Sequence, residues 1–187
     1  LKPLQVLPLL ESGAADAFRV GDEDLALCCA SHTGEPAHVE RAAQMLQRAG
    51  LGPEDLLCGA HAPLDPEVAA VVASNGGPAS LHNNCSGKHA GFLLLARHLG
   101  VDTADYLAPG SASQRRVREA VESMCGEAAV AGTDGCSAPA LAVSLAGLAT
   151  AVARLVWPPS GTDPTRAAAC ARVVRAMTAH PWLVGGR

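Results

Sequence analysis

The chain has 187 residues, of which 49% are hydrophobic and only 3% aromatic, and its formal net charge is −4. This length suits one domain whose core is built from small and medium side chains. A mildly acidic chain with no long run of one charge argues against nucleic acid or an anionic membrane as a partner. No apolar stretch reaches the roughly 18–20 residues that span a bilayer, and the first residues lack the pattern of a signal peptide.

The first hundred residues are predicted to alternate short apolar elements with helices. Residues 4–11 and 25–31 have the pattern of strands or short apolar elements, and the second run fits a buried strand that ends at the polar Ser31. The spacing of apolar residues then predicts three helices, which run from Pro36 to Gly50, over 65–73 and over 92–99.

The second half of the chain is predicted to be mainly helical. A short strand is expected at 128–131, and helices are expected at 111–125, 139–155 and about 164–178. Strands mixed with helices predict an α/β or α+β fold in which helices flank a sheet.

The two ends and the cysteines bear on how the chain occurs in the cell. It opens on Leu-Lys-Pro without a methionine and stops directly after an apolar segment, whereas natural termini are more often polar and mobile. We therefore expect residues 1–187 to form a single domain that is truncated at both ends. Seven cysteines, an odd number without a CxxC pair, are typical of buried, reduced thiols in a cytoplasmic protein.

Lysine is rare in this sequence. Only Lys2 and Lys88 occur, against twelve arginines. A lysine can lose its proton when it is buried and then act as a base or a ligand, which arginine cannot do. Lys88 lies in the stretch richest in chemically reactive side chains, Asn83–Gly91.

A metal site is one interpretation of this stretch. Cys85 and Lys88 are three residues apart, so on a helix or tight turn they face the same way. Cys136, preceded by Asp134, lies in a second turn rich in glycine. Two thiols, an amine and a carboxylate could hold zinc with a water in the last position. The alternative is a set of ordinary buried cysteines beside a surface lysine.

Five further side chains each allow two interpretations. Ser31 is either a nucleophile or substrate-binding hydroxyl, or a helix N-cap. Asp134 belongs to a site or forms an Asx turn. His82 and His89 are acid/base groups or packing residues. Lys2 is a solvated terminal charge, or the base for a serine three residues earlier in a Ser-x-x-Lys arrangement.

In combination, these motifs are more specific than any one of them. Six segments occur in one order, namely Lys2–Gln5, Leu9–Asp16, Ser31–Glu35, Asn83–Gly91, Gly132–Cys136 and His180–Pro181. The set resembles the L-asparaginase II family over essentially the whole chain. The resemblance implies a fold like that of serine β-lactamases and penicillin-binding proteins, incomplete here at both termini. It also implies hydrolysis of L-asparagine to L-aspartate and ammonia.

The resemblance also implies roles for individual residues. The family uses two Ser–Lys pairs in one site. Lys2 matches the lysine of the Ser-x-x-Lys pair, whose serine would precede the chain, and Ser31 matches the serine of the second pair, whose lysine would follow Arg187. Asp134 matches the acidic residue of the site. The family's Zn²⁺ ligands, which are thought to help bind and orient the substrate, match Cys85, Lys88 and Cys136.

Two other functions stay open on the sequence alone. One is a different serine amidohydrolase of the penicillin-recognising fold, although such a site has no need of Cys85, Lys88 and Cys136. The other is a non-enzymatic domain that binds a metal or small ligand in the same cavity. The expected partner is the small-molecule substrate L-asparagine, and a homodimer is compatible with the resemblance.

Overall fold

The computed structural model describes residues 1–186, in which helices predominate over a single two-stranded sheet. In chain order the α-helices are α1 Lys2–Gln5, α2 Leu7–Glu11, α3 Ala14–Ala17, α4 Asp22–Cys28, α5 Pro36–Arg48, α6 Pro66–Ser74, α7 Ser86–His98, α8 Ala112–Cys125, α9 Leu145–Val156, α10 Pro164–Ala179 and α11 Pro181–Gly185. Short 3-10 helices cover Pro53–Asp55, Ser80–His82 and Thr103–Asp105. The strands are β1 Val130–Thr133 and β2 Pro139–Ala142.

Helix α7 forms the centre of the core. Its side chains are buried without interruption from Ser86 to Ala96, and it packs against α2, α3, α4, α5 and α8. Gly87 and Gly91 face α4 at close range, since a Cβ on Gly87 would lie 2.5 Å from the carbonyl oxygen of Leu27. The absence of side chains at these two positions therefore lets α4 and α7 approach closely.

The sheet is an antiparallel hairpin. Its register pairs Val130 with Ala142 and Thr133 with Pro139. In the connecting loop, Asp134 N donates to Ala138 O at 2.8 Å, which closes the turn. This loop carries Cys136 into the interior, where it is 4% exposed. The hairpin therefore delivers one thiol to the core from a position far along the chain.

The strand predicted at 25–31 was wrong. Residues 25–28 form the end of α4, and 29–31 have no regular structure. Three acidic residues occupy the first turn of α4, and Asp24 Oδ2 accepts from Gly21 N at 3.0 Å. Carboxylates at a helix N-terminus are stabilising, so this segment starts a helix before its apolar run begins. Residues 4–11 likewise form α1 and α2, each with a proline in its first turn.

The helix predicted at 139–155 was wrong in its first part. Residues 139–142 form β2, and α9 begins only after Ser144, whose hydroxyl accepts from Gly147 N at 2.9 Å. A serine N-cap satisfies a free backbone donor at the helix start, and it places that start more firmly than the alanine-rich composition does.

The remaining predictions of local structure were close. Helices α5, α6, α8 and α10 lie where the spacing predicts them, α7 begins earlier than predicted, and the strand expected at 128–131 lies at 130–133. A mixed helical and β structure is therefore confirmed. However, within residues 1–186 the only sheet has two strands, so the helices pack mainly on one another instead of flanking a larger sheet. None of the helices described is long and apolar enough to cross a membrane.

Candidate functional site

The side chain of Asn83 organises the start of α7. Its Nδ2 donates to the carbonyl oxygens of Cys58 and Gly59 at 2.9 and 3.1 Å, and its Oδ1 accepts from Cys85 N at 2.9 Å. Asn83 is 4% exposed, and these bonds satisfy an amide that burial would otherwise penalise. The backbone before α7 is therefore held from both sides.

Four predicted site residues meet between the start of α7 and the hairpin loop. Lys88 Nζ donates to Cys136 Sγ at 3.0 Å, and the thiol of Cys85 interacts with the same sulfur. Asp134 Oδ2 lies 3.6 Å from Lys88 Nζ. The lysine side chain is 3% exposed and the carboxylate 50%, so Asp134 stands at the solvent side of the cluster.

The environment shifts the pKa values of the two thiols in opposite directions. Hydrogen bonding with the Cys85 thiol lowers the pKa of Cys136, and the neighbouring side chains of His89 and Lys88 lower it further. The same bond between the thiols, together with burial, raises the pKa of Cys85. Of the two thiols, Cys136 is therefore the one that loses its proton more readily.

His89 lies beside Cys136 and is wholly buried. Its Nδ1 is 2.6 Å from the hydroxyl of Tyr106, and that hydroxyl also accepts from Leu57 N at 2.9 Å. Within residues 1–186, Nε2 of His89 makes no hydrogen bond, yet the imidazole is close enough to Cys136 to lower the pKa of the thiol. Burial lowers the pKa of His89 itself, which favours a neutral ring.

Lys2 also contacts the cluster. Its Nζ donates to Ala30 O, and the amine also interacts with the thiol of Cys85. Burial is the main cause that lowers the pKa of Lys2 below its ordinary value, although Cys85 partly offsets it. The interpretation of Lys2 as a solvated terminal charge was therefore wrong.

Ser31 follows Ala30 and is exposed. Its Oγ accepts from Asn84 Nδ2 at 2.9 Å. It does not cap the following helix, because the N-cap of α5 is Glu35. The N-cap interpretation was therefore wrong, and the hydroxyl stands next to the segment that holds Cys85.

Comparison with protein-family models matches the whole chain, residues 1–187, to L-asparaginase II. The chain belongs to the L-asparaginase II family. At the level of the family, it is an asparaginase-type amidohydrolase that acts on a small-molecule substrate. No curated protein matches the chain.

His82 and Asp134 both make local hydrogen bonds. His82 closes a local turn, since its Nδ1 accepts from Ala79 N at 3.0 Å, and this is a structural role. Asp134 Oδ1 accepts from Gly135 N at 2.8 Å, one residue on and not the two residues of an Asx turn, while Oδ2 faces Lys88.

The donor set suits zinc only if the lysine takes part. Within residues 1–186, no group of three or more His, Cys, Asp and Glu side chains lies in an arrangement that could hold a metal ion. Cys85 and Cys136 supply two sulfur donors, and Lys88 supplies the nitrogen that lies 3.0 Å from one of them. Thiolates and a neutral nitrogen are ligands that zinc accepts, so these residues fit the ion that the family resemblance implies.

Sequence reasoning missed Asn84 and Tyr106. Asn84 contacts the hydroxyl of Ser31, and Tyr106 fixes one nitrogen of His89. Asn84 lies inside the recognised motif, so its position was a usable signal. Tyr106 is the single tyrosine of the chain and is fully buried. A buried tyrosine needs a partner for its hydroxyl, but the sequence does not name that partner.

Proposed function

We propose that the chain carries part of the active site of an L-asparagine amidohydrolase that works by Ser–Lys nucleophilic catalysis beside a zinc site. The environment of Lys2 is the observation that carries this proposal. Its amine is held by the carbonyl of Ala30 and by the thiol of Cys85, and burial favours its neutral form. A neutral amine can take a proton from a hydroxyl nucleophile, which an ordinary surface lysine does poorly at neutral pH.

The proposed reaction passes through an acyl-enzyme. This route needs an activated hydroxyl, a proton for the departing ammonia and donors for the oxyanion. Lys2 takes the proton from the serine that the resemblance puts three residues before it, and returns that proton to the leaving nitrogen. Ser31 supplies the hydroxyl of the second pair, whose lysine the resemblance puts beyond Arg187. Water then releases L-aspartate by the reverse sequence of proton transfers.

Cys85, Lys88 and Cys136 would hold the zinc ion. When bound, the ion supplies a fixed positive charge that can hold a polar group of the substrate in place. The buried imidazole of His89, which acts on Cys136, supports a polar centre at this position. Asp134 faces Lys88 from the solvent side and is proposed as the acidic residue of the site.

The finer structural and cellular expectations are also proposals. They are a serine-β-lactamase-like fold, a cytoplasmic location and a homodimer. The seven cysteines are all free, which supports a reducing compartment.

The test is ammonia release from L-asparagine by the intact gene product and by its Lys2→Arg variant. Arginine keeps the charge but cannot act as a base, so kcat should fall by about 10²–10⁴ with the circular dichroism spectrum unchanged. The control is Arg97→Lys, which makes the reverse exchange at an exposed position of α7 and should leave turnover unchanged. A folded Lys2→Arg enzyme with near-normal kcat would refute the proposed base.

The same assay separates the alternatives. Hydrolysis of a chromogenic cephalosporin in place of L-asparagine would favour the penicillin-recognising class. Zinc binding without turnover of any amide would favour the non-enzymatic domain.

A further inference from the structure

We infer that Asn84 is a positioning residue for Ser31, because its side-chain amide sets the direction of the serine hydroxyl. The inference rests on the proposed function, in which Ser31 takes part in the reaction. It assigns a role to a side chain that is neither a base, a nucleophile nor a metal ligand.

Asn84 holds Ser31 at two points. Its Nδ2 donates to Ser31 Oγ at 2.9 Å, and its backbone oxygen accepts from His32 N at 3.3 Å. The side chain of Ser31 and the peptide that follows it are therefore bound by one residue. An exposed serine would otherwise rotate freely among its three rotamers.

A third bond joins the same two segments. His32 Nδ1 accepts from Gly34 N at 3.2 Å, so Nε2 carries the hydrogen and donates to Ser86 Oγ at 3.0 Å. His32 and Ser86 are both completely buried. The segment after Ser31 is therefore tied to the first turn of α7 at a point that solvent does not reach.

The backbone next to Asn84 is held by several hydrogen bonds. Its neighbour Asn83 is buried and bonded to Cys58, Gly59 and Cys85. A positioning group is effective only when its own place is determined by surrounding packing and hydrogen bonds. Since Cys85 follows Asn84 directly, the same segment fixes the position of the Ser31 hydroxyl relative to Cys85, a proposed metal ligand.

The direction of this hydrogen bond matters for the chemistry. Because Asn84 donates, Ser31 Oγ accepts, and the serine hydrogen is left free to point at a base or at the substrate. A residue that accepted from Ser31 instead would draw that hydrogen away from the reaction.

Two variants test the donor. Asn84→Ala removes the amide, and Asn84→Asp keeps its size but offers no N–H when ionised. Both should lower kcat for L-asparagine by roughly 3- to 10-fold, the effect expected for one hydrogen bond, with a smaller change in KM. Asn75→Ala is the matched control, because Asn75 is exposed at the end of α6 and its side-chain amide makes no hydrogen bond within residues 1–186. Circular dichroism verifies that each variant is folded.

A double-mutant cycle with Ser31→Ala separates positioning from a general structural effect. If Asn84 acts through Ser31, then Asn84→Ala should have no further effect on kcat once Ser31 is alanine. Equal losses in both backgrounds would overturn the inference, as would an Asn84→Asp enzyme of normal kcat. Near-normal turnover by Ser31→Ala would instead remove Ser31 from the proposed reaction, and the inference with it.

Discussion

Replacing Gly87 by alanine should destabilise the protein, although alanine is the better helix former. Gly87 lies in the first turn of α7, where α7 crosses α4. An added Cβ would stand 2.5 Å from the carbonyl oxygen of Leu27 and 2.6 Å from its Cγ. Ordinary contacts between such atoms are about 3.5 Å, so something must move by roughly 1 Å. Part of the obstacle is backbone, which cannot turn aside as a side chain can.

The size of the effect follows from two opposing contributions. Overpacking a core typically costs about 1–3 kcal/mol, and a backbone obstacle puts Gly87→Ala near the upper end. The gain in helix propensity from Gly to Ala is about 1 kcal/mol. The free energy of unfolding should therefore fall by about 1–2 kcal/mol, and Tm by roughly 2–8 °C for a chain of this size.

Urea unfolding followed by circular dichroism measures this change, with two other glycines as references. A Cβ on Gly91 would meet Cys28 Sγ at 3.0 Å, so Gly91→Ala should be milder because a side chain can adjust. Gly185 in α11 has no atom within 4 Å of its added Cβ, and Gly185→Ala should not destabilise. If Gly87→Ala were as stable as the parent, or more so, the close contact between α4 and α7 would be wrong.

Three further outcomes are expected. The kcat of the parent enzyme should rise with pH as Lys2 loses its proton, because the neutral amine is the active form. The midpoint of this rise should lie below the ordinary lysine pKa, since burial favours the neutral amine. A midpoint at the ordinary lysine pKa would contradict this. Cys136→Ser should lose zinc on dialysis and raise KM more than it lowers kcat, whereas Cys170→Ser, at a buried position of α10, should keep its zinc. Metal analysis measures the zinc content and steady-state kinetics the turnover. Full zinc occupancy in Cys136→Ser would exclude the site. Tyr106→Phe should lower the free energy of unfolding, measured in urea, by about 1–3 kcal/mol. The change leaves the Leu57 N–H without its acceptor and His89 Nδ1 without its partner. An unchanged urea midpoint would show that water replaces the hydroxyl.

The sequence predicts those helices that carry their own start signals. Pro36, Ser111 and Asp163 each stand at or directly before the first residue of a helix that was predicted within a few positions. The start signal of α4 lies before its apolar run, in the acidic residues 22–24, and a short apolar run taken alone fits a buried strand as well as a buried helix. Its identity depends on what packs around it, and here that is α7 and α10.

The site could be predicted only in part from the sequence, because some of its residues lie far apart along the chain. Cys85 and Lys88 are three residues apart, so local geometry alone brings them together. Cys136 is 48 residues from Lys88 along the chain and arrives through the loop of the hairpin. No spacing rule predicts that approach. Residue chemistry offered a shared metal site as one interpretation, and the family resemblance favoured it.

The supporting polar residues were harder still to foresee, because their function lies in their bonds and not in their chemistry. Asn83 and Asn84 are not acids, bases or strong ligands, yet one holds Cys85 and the other holds Ser31. Both precede a helix that is buried from Ser86 to Ala96 and cannot shift without disturbing the core. The packing at Gly87 therefore bears on function as well as stability. Gly87 lets the first turn of α7 pack closely on α4, and the position of that turn sets where the proposed metal ligands lie relative to the hydroxyl of Ser31.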